Sequence, residues 1–159
     1  MASIHNISIE GINGEEIRLD QFTGKKMLIV NVASACGFTP QYEQLEELHR
    51  YYQDRLVVLG CPCNDFGHQE QGDEKEILSF CTTMFDVSFP LSKKINIRTE
   101  PVHPLYQWLS RKDRNGVADQ QVSWNFQKFA IGPQGDWQDV FSPETMPLDE
   151  QIIDWIEAT

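Results

Sequence analysis

Two apolar runs with an amphipathic stretch between them constrain the fold of this chain most. Residues 27–33 are apolar apart from Asn31 and do not alternate with polar residues, which is typical of a strand buried on both faces. Residues 56–61 form a second run of this kind. Between the runs, four apolar residues recur at helical spacing: Tyr42, Leu45, Leu48 and Tyr52. This order predicts a βαβ unit whose connection is right-handed.

Turn residues and helix caps predict the other elements. Strand-like residues 4–9 and 16–19 flank a Gly-Asn-rich turn, which indicates an N-terminal hairpin. Asp73 and Glu76 resemble a capping box and predict a helix whose apolar face carries Ile77, Phe80, Cys81 and Met84. The further predictions are an extended piece at 87–91, a short helix opened by His103-Pro104, a loop at 110–121, strands at 126–131 and 136–141 around a turn, and a final helix at 149–157.

This order of elements predicts one domain over residues 1–159. Its class is α/β, with a thioredoxin-like fold in which helices flank a central mixed sheet and an extra β-hairpin precedes it. The net charge of −11 disfavours nucleic acid and anionic membrane surfaces as partners. The start has no secretory pattern and no apolar run reaches the roughly 20 residues of a membrane helix, so we expect a soluble, cytoplasmic protein without membrane insertion.

The loop after the first long strand carries Cys36, next to the predicted start of a helix. Thr39 is predicted to be the N-cap of that helix and Pro40 its first residue. A thiol near the positive end of a helix dipole is favoured as the reactive thiolate, although a single cysteine is more often a small buried side chain. Residue 39 is Thr, so the Cys-x-x-Cys motif of disulfide oxidoreductases is absent.

Three segments resemble the signature blocks of the glutathione peroxidase family: residues 31–39, 61–70 and 124–129. They occur in the family's order with compatible spacing, and the similarity spans essentially the whole chain. The resemblance implies a thioredoxin-like fold and a peroxidatic cysteine at Cys36. It also implies a catalytic tetrad formed by Cys36, Gln69, Trp124 and Asn125. No cofactor and no metal site is predicted.

The chemistry of peroxide reduction suits these residue types. Attack of a thiolate on an O–O bond develops negative charge on the sulfur and on the departing oxygen, and neutral N–H donors stabilise both. Trp124 offers an indole N–H, while Gln69 and Asn125 offer amide N–H groups. Taken singly, each has an ordinary alternative role, in the core, in solvent or in a turn, and only their joint occurrence with Cys36 indicates a site.

The resemblance also implies a resolving cysteine at Cys81, because residues 80–90 resemble members of the family that use one and that thioredoxin reduces. Cys81 would attack the sulfenic acid of Cys36, and thioredoxin would reopen the resulting disulfide. A disulfide needs Cα atoms within about 7 Å, so we expect the helix that carries Cys81 to unwind locally. The alternatives are that Cys81 is a buried inert thiol and that glutathione reduces Cys36 directly.

Two residues depart from the family's pattern. Cys61 replaces an expected Phe and is predicted to be structural, as is Cys63. Asp65 replaces an expected Gln and is predicted to oppose thiolate formation if its carboxylate lies close to Cys36.

The predicted function is that of a thiol peroxidase that reduces hydrogen peroxide and organic hydroperoxides. Larger tetrameric members of the family carry extra segments that the short connections here lack, so the resemblance implies an open site that admits bulky or lipid hydroperoxides, in a monomer or small dimer. A peroxide sensor that passes its oxidation to a partner protein would use the same residues. A zinc site formed by the four cysteines is disfavoured by their spacing, since structural zinc sites pair cysteines two to four residues apart, twice.

Overall fold

The computed structural model describes residues 3–159, so the first two residues of the predicted domain lie outside the described part. Six strands and five α-helices occur in this range. The strands are β1 (Ser8–Glu10), β2 (Glu16–Arg18), β3 (Lys26–Val32), β4 (Leu56–Pro62), β5 (Lys128–Ile131) and β6 (Trp137–Phe141). The helices are α1 (Gln41–Tyr51), α2 (Glu74–Phe85), α3 (Pro104–Ser110), α4 (Lys112–Asn115) and α5 (Glu150–Glu157).

The central sheet is mixed and has the strand order β4-β3-β5-β6. β3 pairs in parallel with β4, as the βαβ pattern predicts, and antiparallel with β5, which in turn pairs antiparallel with β6. β1 and β2 form a separate antiparallel hairpin before the sheet. The α/β class, the mixed sheet and the N-terminal hairpin are therefore confirmed.

The sheet separates two apolar cores, and β3 contributes to both. Leu28, Val30 and Val32 belong to one core, whereas Met27 and Ile29 belong to the other. Successive side chains of a strand point to opposite faces, so a strand covered on both faces has to be apolar at every position. The continuous apolar run in the sequence has this cause, and the polar exception at Asn31 stands near the carboxyl end of the strand, next to the Cys36 loop.

Several predicted boundaries are wrong by a few residues. Ile4–Asn6 forms a short 3-10 helix instead of the start of a strand. The extended piece predicted at 87–91 is not contradicted, since Leu91 forms an isolated parallel bridge with Gly60. The predicted loop at 110–121 contains α4. β5 begins at Lys128 and not at 126, because Phe126 has a φ of 68° and interrupts extended backbone.

The capping box that begins α2 is confirmed, with both hydrogen bonds between Asp73 and Glu76 present. The predicted apolar face of this helix is only partly right. Ile77 and Cys81 are buried, whereas the Met84 side chain is 62% exposed. Among residues 3–159, no helix combines the length and the apolar character that crossing a bilayer requires.

Candidate active site

Cys36 lies in the loop between β3 and α1, at the carboxyl edge of the sheet, and is 7% exposed. Its Sγ accepts a hydrogen bond from the backbone N–H of Phe38 at 3.3 Å. A backbone N–H directed at sulfur is a neutral donor that stabilises negative charge there. The loop itself therefore supplies the first polar contact of this thiol.

Thr39 is not the N-cap of α1, which corrects the sequence prediction. The helix begins at Gln41, and Pro40 occupies the preceding cap position with φ −56° and ψ −17°. The Thr39 hydroxyl instead donates to the Ala33 carbonyl at 2.8 Å and accepts from the Cys36 N–H at 2.9 Å. This threonine therefore closes the Cys36 loop on itself.

A second segment, residues 64–70, holds the same loop from the outside. The Ala35 N–H donates to the Gln69 carbonyl at 3.0 Å, and the Ser34 N–H donates to Glu70 Oε1 at 3.1 Å. The Glu70 N–H donates in turn to Asn64 Oδ1 at 3.0 Å. Burial raises the pKa of Glu70, although its bond with Ser34 counteracts the shift. Two successive N–H groups before Cys36 are thus fixed by residues 69 and 70.

Gln69 and Asn125 are brought into direct contact. Asn125 is fully buried, and its Nδ2 donates to Gln69 Oε1 at 3.0 Å and to the Phe66 carbonyl at 3.1 Å. Since the Phe66 carbonyl accepts only, it determines which end of the Asn125 amide faces it. Both Nδ2 hydrogens of Asn125 are used in these two bonds. Asn125 therefore binds the oxygen of the Gln69 amide and leaves the Gln69 Nε2 group available as a donor.

Trp124 packs beside these amides and is held from β3. The Asn31 Nδ2 donates to the Trp124 carbonyl at 3.0 Å, and the Phe126 N–H donates to the Asn31 carbonyl at 2.6 Å. The Trp124 ring lies against Gly67, where a Cβ in place of the glycine hydrogen would approach Trp124 Cη2 to 2.8 Å. Gly67 also has a φ of +73°, so glycine is required there for conformation and for space.

Cys36 is connected to Gln69 by a backbone hydrogen bond of its loop, from the Ala35 N–H, and not by a hydrogen bond of its sulfur. Within residues 3–159, no side-chain hydrogen bond connects Cys36 Sγ with Gln69, Trp124 or Asn125, and neither Gln69 Nε2 nor Trp124 Nε1 has a protein acceptor. A cleft of about 500 Å³ opens at the same place and is lined in part by Ser34, Ala35, Gln69, Glu70 and Phe80. Gln69 lines this cleft and its Nε2 is free to donate, which suits a small polar substrate.

Cys81 lies in α2 and is fully buried in the same apolar core as Cys36. Both are free thiols. Burial raises the pKa of Cys81 to about 11, and the neighbouring Tyr42 hydroxyl offsets this only in part. Cys81 is therefore a protonated thiol in this state of the protein.

Cys61 and Cys63 belong to the other core and are fully buried. Burial raises the pKa of each thiol to about 12, which leaves both protonated and unreactive. Among the described residues, no group of three His, Cys, Asp or Glu side chains is arranged to hold a metal ion.

The Asp65 carboxylate is committed to the segment after α2. Its Oδ2 accepts from the backbone N–H groups of Ile97, Arg98 and Thr99, and its Oδ1 accepts from the Thr99 hydroxyl. Burial acts to raise the pKa of Asp65, but these hydrogen bonds lower it to about 2. All of these hydrogen bonds join the carboxylate to residues 97–99 and none joins it to the Cys36 loop. That Asp65 opposes the Cys36 thiolate stays a prediction.

The residues that support the proposed site carry little signal in the sequence. Asn31 was visible as the polar exception in an apolar strand, which is a signal for a buried hydrogen bond. Glu70 and Asn64 gave no such signal, because a polar loop residue is normally solvated. Their contacts with the Cys36 loop exist only in the folded chain.

Comparisons with known proteins identify the family of this chain. Residues 4–110 match the family described as glutathione peroxidase. The glutathione peroxidase homolog BsaA of Staphylococcus epidermidis is 41% identical over 158 residues, which cover 99% of this chain and 98% of that protein. The thioredoxin/glutathione peroxidase BtuE of Escherichia coli is 39% identical, with coverage of 98% and 96%.

Solved structures show the same fold. The crystal structure of Trgpx in its apo form is 35% identical, covers 99% of this chain and 97% of its own, and superposes with a TM-score of 0.73. A thiol:disulfide interchange protein of the thioredoxin family from Chlorobium tepidum covers 94% of this chain and 92% of its own, with a TM-score of 0.67 at 13% identity. The second likeness concerns the fold alone and confirms the thioredoxin-like arrangement.

Proposed function

Since this chain is a peroxidase of the glutathione peroxidase family, we propose that Cys36 reduces hydrogen peroxide and organic hydroperoxides. The Cys36 thiolate attacks one peroxide oxygen and the O–O bond breaks. The other oxygen leaves as water or as an alcohol after it takes a proton, and Cys36 becomes a sulfenic acid. The observation that carries the proposal is that Gln69 accepts from the Ala35 N–H in the loop of this buried thiol and lines the adjoining cleft, with its Nε2 unspent within residues 3–159.

The proposed roles of the remaining residues follow from their hydrogen bonds. Gln69 and Trp124 donate to the charge that develops on sulfur and on the departing oxygen. Asn125 positions Gln69, because its own amide donors are directed at Gln69 Oε1 and the Phe66 carbonyl. Such preorganised donors are worth about 3 kcal/mol each when charge develops in a site shielded from water.

We propose that Cys81 resolves the sulfenic acid. The Cys81 thiolate attacks the Cys36 sulfur, the S–S bond forms, and the hydroxide that leaves becomes water by taking a proton. A buried thiol with a pKa of about 11 is a poor nucleophile, so Cys81 has to reach a wetter environment first. Unwinding the C-terminal half of α2 provides this environment and lets the two sulfurs approach.

Exposed side chains and backbone strain in α2 favour this unwinding, while the ion pairs of Arg50 with Glu46 and Asp86 oppose it. Asp86 caps the helix in the left-handed conformation, with φ 51° and ψ 42°, and its N–H donates to the Cys81 carbonyl. A residue other than glycine in this conformation costs about 1 kcal/mol or more. Met84 and Leu78 in the same helix are 62% and 41% exposed. The turn that contains Cys81 therefore has little packing on one side and strain at its end.

A dithiol protein of the thioredoxin class is the proposed reductant of the Cys36–Cys81 disulfide. The relative BtuE is named for both thioredoxin and glutathione, so both donors belong in the test. Glutathione acting directly on the sulfenic acid would need no second cysteine in the chain. A contribution of Cys81 to turnover thus separates the two routes.

The test compares Cys36→Ser, Cys81→Ser and Cys63→Ser in coupled assays with hydrogen peroxide and either thioredoxin or glutathione as donor. Cys63→Ser is the matched control, since it alters a buried cysteine of the other core. We expect no turnover for Cys36→Ser, loss of thioredoxin-supported turnover for Cys81→Ser, and activity in the control. Mass spectrometry of peroxide-treated protein should find a Cys36–Cys81 disulfide.

Retained thioredoxin-supported turnover in Cys81→Ser would contradict the resolving role while leaving the peroxidatic role of Cys36 intact. Activity in Cys36→Ser would contradict the whole proposal. The assay is repeated with cumene hydroperoxide and a phospholipid hydroperoxide, because the open cleft beside Cys36 predicts that both are accepted.

A further inference from the structure

A second pocket, of about 410 Å³, opens beside Phe66. It is lined by Phe66, Ile97, Arg98, Ser110, Gln121 and Val122, and it shares no lining residue with the cleft beside Cys36. Phe66 connects the two places. Its ring centroid lies 6.1 Å from that of Trp124, and its carbonyl accepts from Asn125. The pocket therefore adjoins the peroxidatic site without being part of it.

Arg98 gives this pocket a positively charged side chain. Its guanidinium carbon lies 4.5 Å from the centroid of the Phe66 ring. Within residues 3–159, no carboxylate comes within 4.0 Å of its side-chain nitrogens, although the chain has 24 acidic residues against 13 basic ones. A guanidinium has five N–H donors in a planar fork, so a contact with a ring leaves N–H groups for a planar anion.

Asp65 holds this arginine in place through the backbone. Three consecutive N–H groups, from Ile97 to Thr99, converge on its Oδ2 at 2.8, 2.8 and 3.1 Å. They draw the segment into a tight turn at whose centre Arg98 projects over Phe66. Asp65, which departs from the family's pattern, therefore has a structural role in this pocket.

We infer that this pocket binds the carboxylate and the adjoining hydrocarbon of a fatty-acid hydroperoxide, with Arg98 as the residue that recognises the charge. Phe66, Ile97 and Val122 supply apolar walls for the chain, while Ser110 and Gln121 supply hydrogen-bonding groups near its polar end. Glutathione also carries carboxylates, but it has no hydrocarbon for these walls. The inference rests on the proposed function and names one substrate class for it.

Binding is tested with decanoate, which has no peroxide bond and so cannot react with Cys36. Titration followed by amide NMR should shift the signals of residues 97, 98 and 122, and decanol serves as the neutral analogue. Arg98→Gln should weaken decanoate binding about tenfold and leave decanol unchanged, because it removes one charge-assisted contact. Arg55→Gln is the control, with the same charge change at the amino-terminal end of β4.

Turnover is measured in the same proteins with linoleic acid hydroperoxide, its methyl ester and hydrogen peroxide. Arg98→Gln should lower kcat/KM about tenfold for the acid, and should leave the ester and hydrogen peroxide at the wild-type value. The inference would be overturned if Arg98→Gln lowered kcat/KM equally for the acid and the ester. It would also be overturned if the variant bound decanoate as tightly as the wild type. A change confined to the KM for glutathione would also overturn it, since the carboxylate would then belong to the reductant.

The two levels of the proposal fail separately. If wild-type protein binds decanoate through Arg98 but does not turn over hydrogen peroxide, the peroxidatic role fails and the pocket stands. If hydrogen peroxide is turned over normally and decanoate does not bind, the pocket fails and the peroxidatic role stands.

Discussion

At the scale of single residues, strain and unpartnered polar atoms gather around the Cys36 loop. Phe126 has a φ of 68° although it is aromatic and fully buried. The buried atoms Asn31 Oδ1, Glu70 Oε2 and Asn125 Oδ1 have no hydrogen-bond partner. Natural proteins keep such costs mainly where function requires them. Their position supports the proposed site independently of the residue types that suggested it.

Asn31→Val tests whether the strand positions Trp124. The substitution removes the donor to the Trp124 carbonyl and also the unpartnered Oδ1, so we expect stability within about 1 kcal/mol of wild type. The peroxidase kcat/KM should fall about tenfold, because a small displacement of a catalytic donor is costly. Chemical unfolding and the coupled assay measure the two effects.

Asn115→Val is the control for this variant. Asn115 is also buried, and its amide binds backbone groups of Trp108, Ala118 and Val117, away from Cys36. The control should lose stability and keep its activity per folded molecule. Wild-type activity in Asn31→Val would show that Trp124 does not depend on this bond.

Asp65→Asn tests the carboxylate that holds the 97–99 segment. The folded pKa of about 2 lies below the ordinary value of 3.8, so the charged carboxylate stabilises the fold fully above about pH 4, and this stabilisation is lost as pH falls through 2. Partial exposure screens the effect, and we expect about 1 kcal/mol at pH 7. Urea unfolding of both proteins at pH 7, 4 and 2.5 should show a difference that shrinks with acid, whereas a pH-independent difference would contradict this role.

At the scale of elements, α2 is tied down at its end more than along its length. Arg50 of α1 donates to the Asp86 carbonyl and side chain and also binds Glu46. Glu46 accepts in turn from the Ser88 N–H at 2.7 Å. These contacts clamp the residues just beyond α2 against α1. Opening of the helix around Cys81 therefore works against an ionic clamp at its C-terminal end.

Arg50→Met should speed formation of the Cys36–Cys81 disulfide about threefold after a peroxide pulse, because a partly exposed ion pair restrains the helix end only weakly. Rapid alkylation followed by mass spectrometry gives the rate. Arg18→Met is the control, since Arg18 forms a similar exposed pair with Asp20 far along the chain from α2. An unchanged rate in Arg50→Met would mean that the clamp does not restrain α2.

At the scale of the whole molecule, Lys26 joins the first strand of the sheet to the last helix. Its Nζ donates to the carbonyls of Trp155, Ile156 and Ala158 and lies 5.4 Å from the Trp155 ring centroid. A cation at a helix C-terminus satisfies carbonyls that have no partner inside the helix. This contact closes the domain between residues more than 120 positions apart. The cytoplasmic location and the monomeric or small dimeric state stay predictions.

Lys26→Met should lower the free energy of unfolding by about 2 kcal/mol, since it leaves several helix carbonyls without a donor. Lys25→Met is the neighbouring control, because Lys25 donates only to the Gln53 carbonyl, and it should cost less than half as much. Urea unfolding measures both. Equal losses in the two variants would contradict the role of Lys26 as a cap of α5.

The sequence by itself determined what depends on short-range pattern. The βαβ unit, the capping box of α2 and the order of the elements follow from periodicity and capping, which act over a few residues. The residue types proposed for the site were also readable, because Cys36, Gln69, Trp124 and Asn125 lie in recognisable segments.

Only the tertiary structure decided how these residues are held. Thr39 was predicted to cap a helix, but its hydroxyl binds the Ala33 carbonyl and closes the Cys36 loop instead. Asn31 and Trp124 meet across 93 positions, and Ser34 and Glu70 across 36, so no local pattern encodes either contact. Arg98 lies over the Phe66 ring because Asp65, next to Phe66 in the chain, binds the backbone of the distant segment that carries Arg98. Hydrogen bonds between remote segments form only when the chain is packed, and they set the geometry on which the chemistry depends.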